Sequence, residues 1–316
     1  MADFNLIPYT VESVIEDVKE IPAGVKMIKA PEVWDKSAKG VGVVVAILDT
    51  GCDHSHPDLK DRIIEGKNFT DQGDHNDFSD IDQHGTHVAG TIGATINDAG
   101  VVGVAPEVSL FIGRVFKKDS NGNIGASNND IIKAIQYCIK WRGPNREKIR
   151  VINMSLGGPE DDPKLHDAIK EAVNEGILVV CAAGNEGDFS SGGDCSPLKD
   201  EYSYPGNYHE VVEVGAVDLE GKWPCFTNTN LEIDLVAPGV KIISTIPGGK
   251  YAEFSGTSMA CPHVAGGTAL IINQCEKEFE RSFTEPEIYA QIIKRTEHLG
   301  YDKKIEGNGL LKLDMQ

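Results

Sequence analysis

From Met259 to Ile272 the chain is apolar on nearly every helical face and carries no Asp, Glu, Lys or Arg. A helix of that kind has no side to show to water, so other elements must wrap it. That demands a layered fold with a large core, which 316 residues at 40% hydrophobic content can supply. Pro262 fits such a helix only in its first turn, where a missing N–H is harmless. Gly256 gives the chain freedom to turn sharply just before it. Ser258 then stands at the helix N-terminus, where backbone N–H groups and the positive dipole end face outward. A hydroxyl placed there can attack a carbonyl, with a donor beside it for the developing oxyanion. Taken alone, Ser258 reads as a helix cap.

Two upstream segments change that reading. Val41-Gly-Val-Val-Val-Ala-Ile-Leu-Asp49-Thr-Gly51 is a β-branched run ending in a carboxylate and a turn. Asp82-Gln-His84-Gly-Thr-His87-Val-Ala-Gly90 opens a helical pattern with an imidazole. The order Asp, His, Ser is that of subtilisin and differs from the chymotrypsin and α/β-hydrolase orders. Asp-Thr-Gly, His-Gly-Thr-His, Gly-Thr-Ser-Met-Ala and Ala182-Ala-Gly-Asn185 together resemble the subtilisin-like serine proteases. The resemblance covers the chain from about residue 40 to 266. It implies a three-layer α/β/α fold with a mainly parallel sheet.

The pattern along the chain agrees. Apolar β-rich runs at 41–48, 110–116, 150–154, 177–182 and 211–217 alternate with helical patterns at 86–95, 128–140, 163–175 and 258–275. Alternation of this kind predicts a parallel sheet with helices on both faces. A C-terminal amphipathic helix is expected over 285–296, and Gly307-Asn-Gly309 turns into a last short strand. Sites in such sheets lie outside the carboxyl ends of the strands. Asp49 ends its strand there, and His84 and Ser258 each head a helix. His84 is expected to take the proton from Ser258, while Asp49 fixes its tautomer and stabilises its cation. Asn185 would donate its amide to the oxyanion beside the Ser258 N–H. His87 is assigned to packing, since an i+3 pair without Glu is not the metalloprotease pattern.

The resemblance also suggests substrate contacts. Ser155, Leu156, Gly157 and Gly158 match the family strand that pairs with substrate, and glycine there admits the peptide backbone closely. Gly157, Gly158, Ala182, Ala183 and Gly184 are small and imply an open S1 pocket that takes large apolar or aromatic P1 side chains. Gly122 and Gly125 would belong to the opposite edge strand. Ser190–Asp200 reads as an insertion beside the S1 wall that would narrow or gate it.

Residues 1–20 read as a separate extension before a catalytic domain at 21–316. Leu6-Ile7-Pro8-Tyr9 resembles the short inhibitory segment of intracellular subtilisins, which lies across the cleft. Pro8 holds it extended, and an extended peptide can add as a strand to a substrate groove. The family's strong calcium site would map to Asp58, Thr95, Asn97, Ala99 and Val101, whose oxygens suit a hard cation. A weaker site, for calcium or sodium, would map to Gly206, Tyr208, Val211, Glu232 and Asp234. The last two read equally as solvated surface charge.

A net charge of −19 argues against nucleic-acid and anionic-membrane partners. Protein or peptide substrates and the chain's own extension are the expected partners, and intracellular relatives imply a homodimer. Seven Cys form no paired spacing, so free thiols, a reducing compartment and cytoplasmic residence are expected. The first residues show no secretory leader, and no apolar run reaches transmembrane length. Two other classes fit the sequence less well. A catalytically silent scaffold would not need all four chemical positions intact. An α/β-hydrolase esterase needs Gly-x-Ser-x-Gly with its partners downstream, whereas here Ala260 ends the motif and the partners lie upstream.

Overall fold

Val44–Asp49 is buried along its whole length, as a strand covered on both faces must be. Its side chains alternate between two cores. Val45 and Ile47 pack with Val88, Ile92 and Val264 on one face. Val44, Ala46 and Leu48 pack with Ile131, Ile135 and Leu165 on the other. The computed structural model describes residues 4–315; Met1–Asp3, which open the expected extension, and Gln316 lie outside the described residues.

The strand is third from one edge of a nine-stranded sheet. From edge to edge the order is Thr296–Glu297, Leu310–Leu311, Ile233–Pro238, Val212–Val217, Leu178–Ala182, Ile149–Met154, Val44–Asp49, Ser109–Arg114 and Ile63–Asn68. All neighbours run parallel except the first pair. Helices His84–Gly93 and Thr257–Phe279 lie against the first core, and Asn128–Lys140 and Pro163–Asn174 against the second. The expected α/β/α sandwich is what forms. Among the described residues no helix is long and apolar enough to cross a membrane.

Two differences from the sequence-based expectation concern the serine helix. It begins at Thr257, so Pro262 lies in its second turn rather than its first. Pro262 offers no N–H to the Ser258 carbonyl; the Ser155 hydroxyl donates to that carbonyl instead, at 3.0 Å. The proline is therefore tolerated because a neighbouring strand supplies the missing donor. Just before the helix, Ile242–Ile246 and Lys250–Ser255 form an antiparallel hairpin that the sequence did not announce. Residues Thr10–Ile15 of the extension add a third, antiparallel strand to it.

Candidate active site

The sheet delivers Asp49 to the end of its strand, and the following turn lets the helix of His84 approach closely. A Cβ on Gly85 would collide with the Gly51 carbonyl and stand 3.2 Å from Asp49 Oδ1, so only glycine allows this contact. His84 Nδ1 donates to Asp49 Oδ1 at 2.8 Å, and both side chains are fully buried. Asp49 Oδ1 also accepts the Thr50 N–H at 2.7 Å. Burial alone would lower the His84 pKa; the charge and hydrogen bond of Asp49, with Asp82 and Asp80 behind it, outweigh burial and raise it. His84 Nε2 has no partner among the described residues. His87 is held by the Ile242 and Ala252 carbonyls, stacks on Phe254 at 4.2 Å and is pushed down to about 3 by burial, which bears out its packing role.

Ser258 is buried at the head of its helix. Its Oγ donates to the Ser155 carbonyl at 3.4 Å and not to His84. Asn185 is locked in orientation, because its Oδ1 accepts from the Thr257 N–H at 3.0 Å and the Thr257 hydroxyl at 2.9 Å. That leaves its Nδ2 free to donate outward, and it donates to the Pro8 carbonyl at 2.7 Å.

The N-terminal segment crosses these groups. Phe4–Asn5 pairs antiparallel with Gly125–Ala126 on one side of the site. Thr10–Ile15 pairs with Lys250–Ser255 on the other. Between them, Leu6 packs on the second core and Ile7 is buried in the first. The Tyr9 ring lies 5.0 Å from the His84 ring and 4.7 Å from Phe254. Its hydroxyl donates to Asp82 Oδ2 at 2.7 Å.

The profile of the subtilase family of peptidases matches residues 40–310. The chain belongs to the subtilase family. It is 56% identical over 311 residues to an intracellular serine protease of Paenibacillus polymyxa, covering 98% of this chain and 90% of that one. It is 50% identical over 314 residues to the major intracellular serine protease of Bacillus subtilis, covering 98% and 93%. Subtilisin E of Bacillus subtilis is 38% identical over 298 residues, covering 94% of this chain and 71% of that one. This subtilase is thus a serine endopeptidase of the intracellular kind.

Around the expected S1 pocket the subtilase is less open than its small residues suggest. A Cβ on Gly157 would collide with Ser203 Oγ and stand 3.4 Å from Ile7 Cδ1. Gly158 is bridged to Tyr204 by two backbone hydrogen bonds. Ala182 and Ala183 are buried, and Gly184 faces Asn228, Glu186 and Ser203. Burial raises the Glu186 carboxyl, although Asn228 donates to it. Ser203, Glu186 and Asn228 thus put polar groups against Gly157 and Gly184. Asn185-Glu186 adjacency was the one sequence signal for them. Leu156 is buried, with its carbonyl accepting from Cys181. Gly122 sits in a hairpin turn facing open space, away from the extension, while Gly125 pairs with it.

The expectation of free thiols is corrected in part. Cys195 and Cys225 form a disulfide, with Cα atoms 4.9 Å apart. The loop folds back through Cys195 N–H to the Gly187 carbonyl and Gly187 N–H to that of Phe226. No spacing in sequence signals that return. Cys52, Cys138, Cys181, Cys261 and Cys275 are free and buried.

The residues of both expected cation sets lie close together in the fold. Asp58 Oδ1 accepts from Asn97 Nδ2 at 2.8 Å and Oδ2 from the Val101 N–H at 3.1 Å. The Thr95 N–H donates to the Asp58 carbonyl at 2.9 Å, and Lys19–Glu20 pairs along Gly100–Val101. Each Asp58 carboxylate oxygen accepts one such donor, and Asp58, Asn97 and the carbonyls of Thr95, Ala99 and Val101 remain the oxygens that would hold a hard cation. Glu232 and Asp234 line a cavity of about 260 Å³ with Val211, His209 and Glu285, and the Asp234 oxygens accept from the Tyr289 hydroxyl at 2.6 Å and the Glu213 N–H at 2.8 Å. Burial, with repulsion from Glu232 on Asp234 and from Asp234 on Glu285 adding to it, pushes Asp234 up to about 6 and Glu285 up to about 7, so a cation bound there would favour their charged forms. Among the described residues no three His, Cys, Asp or Glu side chains could hold an ion by themselves, and main-chain oxygens would have to complete the set.

With His84 as the base the sequence implies, the Asp49–His84 pair should set a pH dependence. Neutral imidazole is the form that accepts a proton, and the raised His84 pKa places the acid limb of kcat/KM above the ordinary 6.5. In Asp49→Asn burial remains but its main opponent is gone, so the limb should move below that value. Plateau kcat should fall about 10⁴-fold, a magnitude taken from measured triad variants that include subtilisin rather than from these distances. A pH–rate profile of the variant that keeps the original limb would refute the assignment.

Proposed function

We propose that the chain hydrolyses protein substrates through an acyl-enzyme on Ser258 and is held in check by its own extension, residues 1–20, acting on the catalytic domain at 21–316. Ser258 Oγ attacks the scissile carbonyl while His84 Nε2 takes its proton. Asp49 holds the His84 tautomer and stabilises the imidazolium. Asn185 Nδ2 and the Ser258 N–H receive the oxyanion in a buried site, where such donors count for most. His84 then gives the proton to the leaving amine, and water repeats the cycle on the ester.

The observation that carries this reading is the Asn185 amide donating to the Pro8 carbonyl while Tyr9 covers His84. A substrate carbonyl would occupy that place, so Leu6, Ile7, Pro8 and Tyr9 mimic a substrate at the catalytic groups. Large apolar or aromatic P1 side chains are accepted beside Gly157 and Gly184, with Ser203 and Glu186 limiting depth. A small phosphonofluoridate should label Ser258, and faster once residues 1–20 are removed; labelling elsewhere or nowhere would refute the hydrolase assignment.

Glu232 and Asp234 are proposed to hold calcium or sodium with main-chain oxygens near Gly206, Tyr208 and Val211; calorimetric titration with either ion tests it. A homodimer is proposed from the intracellular relatives, with sedimentation as its check. A scaffold role is disfavoured, since it gives no reason for a buried Asp49–His84 pair beside an oriented Asn185.

A further inference from the structure

The S1 insertion is tied down in an unusual way for an exposed loop. It connects Glu186 to Ser203, the two polar residues that stand against Gly184 and Gly157. Its large apolar side chains do not anchor it: Phe189 is 77% exposed and Leu198 87%. Most of its side-chain hydrogen bonds are local, such as Ser190 to Asp188 and Ser196 to Asp194. Loops with few buried apolar contacts open at low free energy. The C-terminal end of the loop is tied to the body by the Lys304–Asp200 ion pair at 2.7 Å and by Glu201, which bonds to Thr229 and Asn230. What crosses from its middle is Cys195–Cys225, with the long contacts of Thr229 Oγ1 to the Ser196 and Lys199 carbonyls at 3.4 Å.

Cys225 lies in the segment that shapes the pocket. Phe226 accepts the Gly187 N–H, and the Asn228 amide oxygen accepts the Glu186 N–H at 2.7 Å. Asn228 Nδ2 donates to the Ala183 carbonyl at 2.9 Å. The Glu186-Gly187 strip is thus clamped between the two halves that the disulfide joins, one residue from Asn185. A Cβ on Gly187 would meet the Cys225 and Thr227 carbonyls at 2.7 and 2.5 Å, which shows how tight the clamp is. Both disulfide cysteines are only partly buried, whereas the other five are buried thiols.

We propose that Cys195 and Cys225 are a redox-active pair that fixes or releases the S1 wall, closed by glutathione disulfide and opened by thiols. Intracellular compartments hold low-molecular-weight thiols and their disulfides, for which glutathione and glutathione disulfide serve as the probe. In closure one cysteine thiolate attacks a sulfur of glutathione disulfide and expels one glutathione thiolate. The second cysteine thiolate attacks the mixed disulfide and expels the other. Two protein thiols and one glutathione disulfide become one protein disulfide and two glutathione molecules, with two electrons leaving the protein. The consequence for specificity rests on the S1 reading above.

The test uses the full chain, equilibrated over a series of glutathione to glutathione disulfide ratios, alkylated and mapped by mass spectrometry. Cys195 and Cys225 should gain and lose label together, with the dependence of a two-electron couple, while the five buried cysteines label only after denaturation. Trypsin should cleave after Lys199 at least tenfold faster in the reduced protein. A peptidyl phosphonate with an aromatic P1 group should label Ser258 about threefold more slowly on reduction, while a small phosphonofluoridate labels at an unchanged rate. Cys195→Ser and Cys225→Ser should each behave as the reduced protein at every ratio. Independent titration of the two cysteines, or cleavage and phosphonate rates that ignore their state, would overturn the proposal. Failure of the small probe to label Ser258 would refute the hydrolase reading instead, and the thiol map and Lys199 cleavage would still judge the redox pair.

Discussion

Replacing Ser258 by alanine should lower kcat by about 10⁶-fold in the enzyme freed of its extension, and His84→Ala should do nearly the same. The magnitude is the one measured for subtilisin, a member of this family. What the present geometry argues is the form of the result. On the proposed mechanism Ser258 and His84 act on one proton, so removing either removes the same step. The double variant should therefore be no slower than either single variant, with residual catalysis from Asn185 and substrate binding alone. Ser258 is fully buried and its Oγ makes only one long contact, at 3.4 Å. Alanine there deletes one oxygen from a packed site and should leave the melting temperature within a few degrees. Steady-state kinetics on the three variants, with protein concentration set by absorbance and fold checked by thermal melting, read this directly. A Ser258→Ala protein that retains more than about a thousandth of the activity would point to a different nucleophile.

The resting arrangement fits that expectation. Ser258 Oγ points to Ser155 and His84 Nε2 is unpaired, while Tyr9 covers the imidazole. Catalytic hydrogen bonds commonly tighten only when a substrate is in place.

What is local, or what chain order preserves, was legible in the sequence. Strand 44–49 showed in its β-branched run, its buried environment in the lack of polar alternation, and the site in Asp49 at a strand end and Ser258 at a helix start. The helix 128–140 was legible to the residue because Ser127 caps it, accepting from the Asp130 N–H. What failed was what depends on distant partners. Ile63–Asn68 carries Glu65 and Lys67, so no apolar run announces it; it is a strand because Ser109–Arg114 offers an open edge. Thr10–Ile15 is largely exposed and becomes a strand only by pairing with Lys250–Ser255. Pro262 was misplaced by a turn because the Ser155 hydroxyl that excuses it lies far away in sequence. Cys195 and Cys225 meet only because the insertion returns on itself. Ser203 stands against both Gly157 and Gly184 from a distant part of the chain, which small residues at those positions do not announce.

Removing residues 1–20 should raise kcat/KM on peptide substrates by about a thousandfold. The extension is anchored on both sides of the catalytic groups, by Phe4–Asn5 and by Thr10–Ile15, so it cannot leave by fraying from one end. Tethering gives a short segment an effective concentration on the order of millimolar. If the free segment bound with micromolar affinity, typical of a short strand added to a groove, the open fraction would be about one in a thousand. Tyr9 should supply a large share. Its ring packs on His84 and Phe254 and its hydroxyl reaches Asp82, so Tyr9→Ala forfeits apolar burial and a hydrogen bond to a carboxylate. Together these are worth roughly 3 kcal/mol, or about a hundredfold in the open fraction. Pro8 contributes differently: its carbonyl accepts from the Asn185 amide at 2.7 Å, and on the proposed reading the Pro8–Tyr9 bond then takes the place of a scissile bond and the chain must survive there. Tyr9→Ala in the full chain should therefore be active without truncation, and a synthetic peptide of residues 1–20 should inhibit the truncated enzyme competitively. If truncation and Tyr9→Ala both leave kcat/KM unchanged, the extension is a docked tail and the protease needs another account of its restraint.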